Sequence, residues 1–299
     1  MSVKTYFLET RPQFLILSPI LVILGMGMAL QSNGFNTLYF VLAMVGLILL
    51  HTSVNTLNDY SDFKTGIDLK VKRTPFSGGS GILPANGLTA SAVLKLGLIT
   101  FFLAVPIGVY FIIEKGLILL PIFIIGAAFV LWYTSHITRV GYGMPEISAG
   151  LGLGTLPVFG TFLILNGGFS WEMLYASIPS GFLVCNLLYL NEFPDADADR
   201  SGGRKTLPII LGYRKAAIVY TIITLMVYVW IAAGVVFGIM PAWTLLALLT
   251  LPIAFKAIKG SLTFKDTEEL IPAQGANVMV VLLTQLLMGI GYILAHVIR

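Results

Sequence analysis

Long apolar runs dominate this sequence and limit the folds open to it. A helix needs ~20 apolar residues to span a bilayer, and this chain of 299 residues contains about nine such runs. They cover residues 13–31, 36–57, 88–113, 117–135, 146–166, 173–193, 214–238, 240–258 and 272–297. Only 11% of the residues are charged, whereas soluble domains have ~25%. The sequence therefore predicts an all-α polytopic membrane protein, a single-domain bundle of about nine transmembrane helices over residues 1–299.

The basic residues predict the orientation of these helices. Lys and Arg accumulate in cytoplasmic loops, and alternating the nine spans places 16 of the 18 basic residues on one side. Only Lys115 and Arg299 fall on the other side. We therefore expect a cytoplasmic N-terminus, an external C-terminus and integration into a membrane, the plasma membrane if the source is a prokaryote. The net charge of +4 follows from this asymmetry, and it indicates no nucleic-acid partner.

Two acidic stretches follow the apolar parts of spans two and six. The first runs from Asn58 to Asp68 and the second from Asn191 to Asp199, and they contain three and four of the chain's 14 acidic residues. Residues four apart lie on one face of a helix, so Asn58 can align with Asp62, and Asn191 with Asp195 and Asp199. Carboxylates are costly at the edge of a hydrocarbon layer unless a cation offsets them. Oxygen-rich clusters of this kind suit Mg²⁺, which shares its coordination sphere with water and substrate phosphates.

The spacing of these stretches predicts an internal repeat. Asn191 follows Asn58 by 133 residues, close to the length of four spans, and four spans return the chain to the same side of the membrane. We therefore expect spans 1–4 and 5–8 to form a parallel repeat, with span nine appended. Such a repeat would place both acidic stretches across one central cavity that is open to lipid, on the cytoplasmic side.

A cavity of this kind suits an amphiphile with a diphosphate head and a hydrocarbon tail, such as an isoprenyl diphosphate. Mg²⁺ between carboxylates and diphosphate stabilises the leaving group as the allylic C–O bond breaks. Basic residues bind phosphate oxygens through charge-assisted hydrogen bonds. The polar loop over residues 63–87 supplies basic residues and then a glycine-rich segment, Ser77–Gly81, whose backbone N–H groups can also cradle phosphate.

These residues resemble the UbiA superfamily of membrane-embedded prenyltransferases. That family carries an Asn-Asp-x-x-Asp motif after its second helix and an Asp-x-x-x-Asp motif after its sixth, and this chain has Asn58-Asp59-x-x-Asp62 and Asp195-x-x-x-Asp199 there. Arg11-Pro12, Tyr133-Thr134 and Arg204-Lys205-Thr206-Leu207 extend the resemblance over essentially the whole chain. The resemblance implies Mg²⁺-dependent transfer of a polyprenyl chain from an isoprenyl diphosphate, such as geranylgeranyl diphosphate, to an aromatic acceptor through an allylic carbocation.

Details of the motifs look most like the menaquinone branch of that family. Gly66 stands where several members have a third Asp, and Asp68 follows two residues later. Asn191 with Asp199-Arg200, and Glu146 at the entry to span five, are similar to the same branch. That branch attaches a polyprenyl chain to 1,4-dihydroxy-2-naphthoate with loss of the carboxylate, so the resemblance implies this acceptor.

The resemblance also implies roles for individual residues. One or two Mg²⁺ ions with the diphosphate would be held by Asn58, Asp62, Asn191, Asp195 and Asp199. Asp68 would lie in the cytoplasmic cap, where metal binding, acceptor positioning and proton removal all stay open as roles. Tyr133 would lie beside the reacting end of the prenyl chain. The diphosphate would be bound by Arg73 and Arg139, with Lys70 and Lys72 nearby.

Other readings of the same residues remain. Within prenyl transfer, the acceptor could instead be 4-hydroxybenzoate, a geranylgeranylglyceryl phosphate, haem or a chlorophyll precursor, since one fold serves them all. A transporter also has polar residues in its spans, but here they cluster at one membrane face rather than at the midplane. An intramembrane lipid-phosphate hydrolase would share the Mg²⁺ chemistry, but His51, His136 and His296 suggest no nucleophilic pair.

Overall fold

The computed structural model describes residues 2–298, which form helices and connecting turns without a strand. Arg299, one of the two basic residues predicted outside, is not among the described residues. The α-helices are α1 (Val3–Glu9), α2 (Pro12–Leu15), α3 (Leu17–Leu30), α4 (Thr37–Thr65), α5 (Ala90–Lys115), α6 (Leu120–Trp132), α7 (Met144–Gly150), α8 (Leu156–Asn166), α9 (Trp171–Ser201), α10 (Leu207–Leu211), α11 (Tyr213–Val236), α12 (Leu251–Thr263) and α13 (Thr267–Val297). Turns of 3₁₀ helix cover Leu117–Leu119, Ile137–Arg139 and Ala242–Thr250, and the π-helical turn Leu151–Thr155 joins α7 to α8.

The predicted membrane spans are confirmed as helices. Eight segments among the described residues are long and apolar enough to cross a bilayer, and a shorter apolar helix, Leu117–Trp132, stands at the fourth predicted position. The eight are Pro12–Leu30, Thr37–Thr65, Ala90–Lys115, Met144–Asn166, Trp171–Ser201, Tyr213–Val236, Ala242–Thr263 and Thr267–Val297. The all-α, polytopic architecture is therefore as the sequence predicts.

The second and sixth spans continue beyond their apolar runs. The sequence places their ends at residues 57 and 193, whereas α4 runs to Thr65 and α9 to Ser201. Both acidic stretches therefore lie largely on helix, and residues four apart share a face, as the spacing predicts. The ends of α4 and α9 that carry them meet at one cavity. The predicted repeat of spans 1–4 with spans 5–8 stays a prediction.

Close backbone contact fixes α9 against α7 and the π turn. A Cβ added at Gly150 would lie 2.5 Å from the carbonyl oxygen of Gly181, and one added at Gly154 would lie 2.5 Å from that of Ser180. Small residues allow membrane helices to approach this closely. This packing holds the second acidic stretch in position, and it confirms that these two glycines serve helix packing.

A buried polar network fixes the other side of α9. Asn186 Nδ2 donates to the Tyr220 carbonyl at 3.1 Å and to Thr224 Oγ1 at 2.8 Å. Asn277 Nδ2 donates to the Asn186 carbonyl at 2.9 Å, and Tyr220 Oη donates to Asn277 Oδ1 at 2.9 Å. Hydrogen bonds between membrane helices stabilise their association, so α9, α11 and α13 form one packed unit behind the cavity.

Candidate active site

The first motif presents its polar face to a central cavity of about 250 Å³. Asn58 and Asp62 both line this cavity, and Asn58 Nδ2 donates to Asp62 Oδ2 at 3.0 Å. Thr134, after α6, donates from Oγ1 to Asn58 Oδ1 at 2.8 Å. Hydrogen bonds from neighbours fix the orientation of metal-binding side chains, and here Thr134 fixes the Asn58 amide with its oxygen toward Thr134.

The second motif faces the first from α9. Asn191, Asp195 and Asp199 line the same cavity. Gln274 Nε2 donates to Asn191 Oδ1 at 3.3 Å, and the backbone N–H of Gly78 donates to Asp195 Oδ2 at 3.1 Å. The other oxygen of Asp195, Oδ1, is buried and has no hydrogen-bond partner among the described residues. A buried carboxylate oxygen without a partner is costly, so it marks a position where a cation would be stabilised.

Arg204 joins the two motifs, and the sequence reading gave it no role. Its Nη2 donates to Asp62 Oδ1 and its Nη1 donates to Asp199 Oδ1 at 2.9 Å. Burial lowers the pKa of the guanidinium, but the carboxylates of Asp62 and Asp199 outweigh burial and raise the pKa above its ordinary value. Arg204 is therefore a permanent positive charge between carboxylates of both motifs.

The loop after α4 covers the cavity and holds Asp68. Asp68 is buried, lines the cavity and donates its backbone N–H to the Asp62 carbonyl at 3.4 Å. Burial, and then the charges of Asp62 and Asp59, raise the pKa of Asp68 to about 8. Gly79 has φ +69°, and a Cβ there would lie 3.1 Å from Asp68 Oδ1 and 3.3 Å from Asp59 Oδ1. The glycine therefore lets the loop backbone approach these carboxylates.

The predicted diphosphate-binding residues lie outside the lining of the cavity in this conformation. Arg73 donates from Nε to the Gly78 carbonyl at 3.2 Å and from Nη2 to the carbonyls of Gly79 and Ser80, so its guanidinium organises the glycine-rich loop. The three others are exposed: Lys70 donates to Ser201 Oγ, Lys72 pairs with Glu268, and Arg139 ends a 3₁₀ turn. Their proposed contact with diphosphate stays a prediction.

Tyr133, the other predicted catalytic residue, lines the cavity at the end of α6. Burial raises its pKa well above the ordinary value of a tyrosine, so it stays a neutral phenol. Two further carboxyl groups, which the sequence analysis noted without giving them a role in the site, are buried here. Glu192 lines the cavity beside Asn191, and Glu146 is fully buried, with Oε1 accepting the backbone N–H of Leu207 at 2.5 Å. Their position in the second acidic stretch and at the entry to span five was visible in the sequence, but their burial depends on the fold.

A second cavity of about 320 Å³ adjoins the first between α4, α5, α6 and α8. The two cavities share Leu47, Leu50, Gly126 and Gly152 as lining residues. Apart from Thr161, every residue that lines the second cavity is apolar. A Cβ added at Gly126 would have no atom within 4 Å, so Gly126 lies at an open junction. Together the cavities offer a polar end and an apolar end to one long molecule.

The residues at the polar end fit a hard divalent cation. They offer carboxylate and amide oxygens, which Mg²⁺ prefers, and Asp195 Oδ1 is a buried oxygen without a partner among residues 2–298. Within the same residues, no three His, Cys, Asp or Glu side chains are close enough to enclose a metal ion by themselves.

Relatives of known name share most of this chain. The chain is 26% identical over 288 residues to the 1,4-dihydroxy-2-naphthoate octaprenyltransferase of Bacillus subtilis, covering 96% of this chain and 91% of the relative. It is 28% identical over 284 residues to the UbiA prenyltransferase domain-containing protein 1 homolog of Drosophila melanogaster, covering 93% and 76% of the two chains.

A solved structure shows the same fold, and a family profile assigns the family. The fold matches a UbiA homolog from Archaeoglobus fulgidus bound to GPP and Mg²⁺ with a TM-score of 0.66, and the alignment covers 97% of this chain and 99% of the other at 15% identity. The profile of the UbiA prenyltransferase family matches residues 18–273. That range includes both motif helices and every lining residue of the two cavities except Arg11, Phe14 and Leu17. The chain therefore belongs to the UbiA prenyltransferase family and is a membrane-embedded prenyltransferase.

Proposed function

We propose that this prenyltransferase carries out the Mg²⁺-dependent transfer of a polyprenyl chain from an isoprenyl diphosphate to 1,4-dihydroxy-2-naphthoate. One observation carries the proposal: the carboxylates of two motifs, far apart in the sequence, meet at the polar end of a cavity whose other end is apolar. The names of relatives over most of the chain support the choice of acceptor. A prenyl diphosphate has the same division into a charged head and an apolar tail.

The head of the donor would bind at the two motifs. We propose that Mg²⁺ is held by oxygens of Asn58, Asp62, Asn191, Asp195 and Asp199. When bound, Mg²⁺ neutralises the diphosphate and stabilises it as a leaving group. Arg204 already lies between Asp62 and Asp199, so its guanidinium would be within reach of phosphate oxygens bound there. Charge-assisted hydrogen bonds from Arg to phosphate are strong and can be bidentate.

The tail of the donor would lie in the second cavity. Its apolar lining starts at Gly126 and Gly152, which also line the central cavity. Burial of hydrocarbon contributes ~0.8 kcal/mol per CH₂, so a long prenyl chain gains much of its binding energy there. We propose that this cavity, and not the polar end, determines which chain lengths the enzyme prefers.

The reaction joins the two substrates at the boundary between these ends. The allylic C–O bond breaks and the diphosphate leaves with the electron pair, so the prenyl chain becomes an allylic cation. Tyr133, which lines the central cavity, offers an aromatic face that would stabilise this positive charge. A ring carbon of the acceptor forms the new C–C bond to the cation and releases its proton, which restores the aromatic ring. The carboxylate leaves as CO₂ from its own ring carbon, where one proton takes its place, so that one proton is released and one is taken up.

We also propose that the polar end of the cavity opens to the cytoplasm. Of the 18 basic residues, 16 fall on the side of the two motifs, and positive residues accumulate on the cytoplasmic side of membrane proteins. Water-soluble acceptors made in the cytoplasm would then reach the motifs directly, and the N-terminus would be cytoplasmic.

The test is an assay of the purified protein in detergent. The protein is given Mg²⁺, radiolabelled geranylgeranyl diphosphate and one acceptor from a panel, with EDTA in parallel. We expect prenylated 1,4-dihydroxy-2-naphthoate, lost when EDTA removes the metal. Product only with 4-hydroxybenzoate or geranylgeranylglyceryl phosphate would replace the proposed acceptor. Product that forms equally well in EDTA would refute the role of Mg²⁺.

A further inference from the structure

A second basic side chain lines the central cavity, away from Arg204. Arg11 stands between α1 and α2, and its guanidinium lies 4.6 Å from the centroid of the Phe14 ring, which also lines the cavity. The Arg11 side chain is 15% exposed, and it makes no hydrogen bond within the described part of the chain. A buried guanidinium with unused donors is costly, so this arrangement is stabilised when an anion occupies the cavity beside it.

Nearby carboxyl groups give that guanidinium one long ion pair and no hydrogen bond. Asp59 Oδ1 lies 3.9 Å from Arg11 Nη1, beyond hydrogen-bonding distance, and Asp59 Oδ2 accepts the backbone N–H of Ser80 at 2.7 Å. Glu9 Oε2 accepts a hydrogen bond from Ser80 Oγ at 2.8 Å, and burial raises the pKa of Glu9 to about 7. Each of these carboxyl groups bonds Ser80 through one oxygen, and its other oxygen, Asp59 Oδ1 or Glu9 Oε1, has no hydrogen-bond partner among the described residues. Neither forms the close bidentate pair that Arg favours with a carboxylate.

The backbone at Arg11 is strained in a way that aims the side chain. Arg11 has φ 56° and ψ 60°, a left-handed conformation that costs a non-glycine residue ~1–3 kcal/mol. Pro12 follows and disfavours the right-handed helical conformation at Arg11. Such strain concentrates at ligand-binding positions. Here it breaks the chain between α1 and α2 so that Arg11 lines the cavity instead of continuing along the helix.

His51 and Asn55 complete this corner of the cavity. They lie one helical turn apart on α4 and both line the cavity. His51 Nδ1 shares a hydrogen bond of 2.9 Å with Ser18 Oγ, which fixes the ring and leaves Nε2 as its other hydrogen-bonding atom. Asn55 Nδ2 donates to the Thr10 carbonyl at 3.1 Å, and this bond holds the residue next to Arg11 against α4.

We infer that Arg11, Phe14 and His51 form the subsite for an aromatic acid, with Arg11 binding the carboxylate, Phe14 packing on the ring and His51 Nε2 hydrogen-bonding a ring hydroxyl. A planar guanidinium matches a carboxylate bidentately, and an aromatic ring packs favourably against another at the edge or offset face. The inference rests on the proposed function in one respect, because it assigns this subsite to the acceptor of the same reaction. The donor's diphosphate would bind elsewhere in the cavity, at the residues of the two motifs around Arg204.

The test measures binding of two stable fluorescent ligands to the purified full-length protein. One is 1-hydroxy-2-naphthoate and the other is 1-naphthol, which has the same ring system and hydroxyl without the carboxylate. In the wild type we expect the acid to bind about 10-fold more tightly, the gain of a charge-assisted pair. In Arg11→Gln we expect this preference to vanish while 1-naphthol binds as before. Arg214→Gln, which removes an exposed arginine at the start of α11, should keep the preference.

Two further measurements keep the inference testable if Arg11→Gln fails to fold. The wild type should bind 1-hydroxy-2-naphthamide, the neutral isostere of the acid, about as weakly as 1-naphthol. Arg11→Lys should retain part of the preference, because it keeps the charge and loses the planar fork. An equal affinity of the wild type for acid and amide, or an undiminished preference in Arg11→Gln, would overturn the subsite.

Binding of the donor separates this inference from the proposed function. Arg11→Gln should bind geranylgeranyl thiolodiphosphate with Mg²⁺ as the wild type does, and equal weakening of donor and acid would overturn a subsite for the acceptor. An Arg11-dependent preference for the acid in a protein that forms no prenylated product would support the subsite and refute the proposed reaction.

Discussion

Arg204 and Asp62 form an ion pair across 142 residues of sequence. The same guanidinium donates to Asp199, so one buried cation joins the ends of α4 and α9. This pair places the two motifs at a fixed separation before any ligand arrives. A guanidinium and a divalent cation are stabilised by the same carboxylates. We therefore expect the removal of Arg204 to change how strongly Mg²⁺ stabilises the folded protein.

We predict that Arg204→Gln lowers the melting temperature of the metal-free protein. Removal of one partner of a buried ion pair costs about 3–5 kcal/mol, and the Arg204 and Asp62 side chains are only 12% and 7% exposed. Mg²⁺ should then raise the melting temperature of the variant more than that of the wild type, since a ligand that binds only the folded state stabilises it.

The matched control is Arg200→Gln. Arg200 pairs with Asp197 at 3.7 Å on the surface, where the two side chains are 61% and 87% exposed, and such pairs contribute less than about 1 kcal/mol. Thermal unfolding in detergent, with and without Mg²⁺, gives both comparisons. An Arg204→Gln protein that melts with the wild type and responds no more strongly to Mg²⁺ would show that the bridge is unimportant.

Gly126→Leu should shorten the donors that the enzyme accepts. The new side chain would extend into the junction of the two cavities, where a Cβ meets no other atom within 4 Å. We expect kcat/KM for geranylgeranyl diphosphate to fall about 10-fold or more, because each CH₂ denied burial forfeits ~0.8 kcal/mol. The value for geranyl diphosphate should change little, since its shorter chain reaches less far.

Ile125→Phe is the control for that experiment. Ile125 is the neighbouring residue on α6 and is 42% exposed on the outside of the bundle, so a larger side chain there leaves the junction open. Steady-state rates with both donors measure the effect. Equal loss with the short and the long donor in Gly126→Leu would argue against a tail-binding role for the second cavity.

The nine spans and the two motif faces were predictable because hydropathy and helical spacing are local properties. Asn58 and Asp62 lie four residues apart, and the helix carries them to one face whatever the rest of the chain does. The lengths of α4 and α9 were underestimated, since the polar residues that end each apolar run face a cavity and its hydrogen bonds. A hydropathy pattern treats those residues as the end of the span.

The role of Arg204 could not be predicted because it depends on contacts distant in sequence. In the sequence it is one of several basic residues after the second motif, and a cytoplasmic loop carries such residues for orientation alone. The contacts of Arg73 were likewise not predictable from the sequence. The resemblance implies that it binds diphosphate, which stays a prediction, and in the structure its guanidinium donates to the carbonyls of Gly78, Gly79 and Ser80.

Glu9 should make the stability of the protein depend on pH. Burial, and then the charge of Asp59, raise its pKa from 4.5 to about 7. Between these values the folded state keeps a proton that the unfolded state has lost, so the stabilisation is complete below about pH 4.5 and is lost as the pH rises through about 7. The effect is of the order of 1–3 kcal/mol.

Glu9→Gln should flatten that dependence, because the amide stays neutral at every pH. Melting temperatures of the wild type and Glu9→Gln, measured from about pH 5 to about pH 8, should converge at low pH and separate at high pH, with the variant more stable there. Glu268→Gln, at an exposed position, is the control and should follow the wild type. If the melting temperatures of wild type and Glu9→Gln changed in parallel with pH, Glu9 would be excluded as the source of the pH dependence.

The central claim is that carboxylates of both motifs act together on a Mg²⁺–diphosphate head group, and Asp195→Asn tests it most directly. The substitution keeps the size of the side chain and removes the charge next to the unpartnered Oδ1. The measurement is Mg²⁺-dependent formation of prenylated 1,4-dihydroxy-2-naphthoate by the wild type, Asp195→Asn and Asp197→Asn, whose side chain is 87% exposed. We predict a loss of about 100- to 1,000-fold in kcat/KM for Asp195→Asn, the range for removal of one preorganised electrostatic group, and no loss for Asp197→Asn. Wild-type turnover by a folded Asp195→Asn protein would contradict the claim.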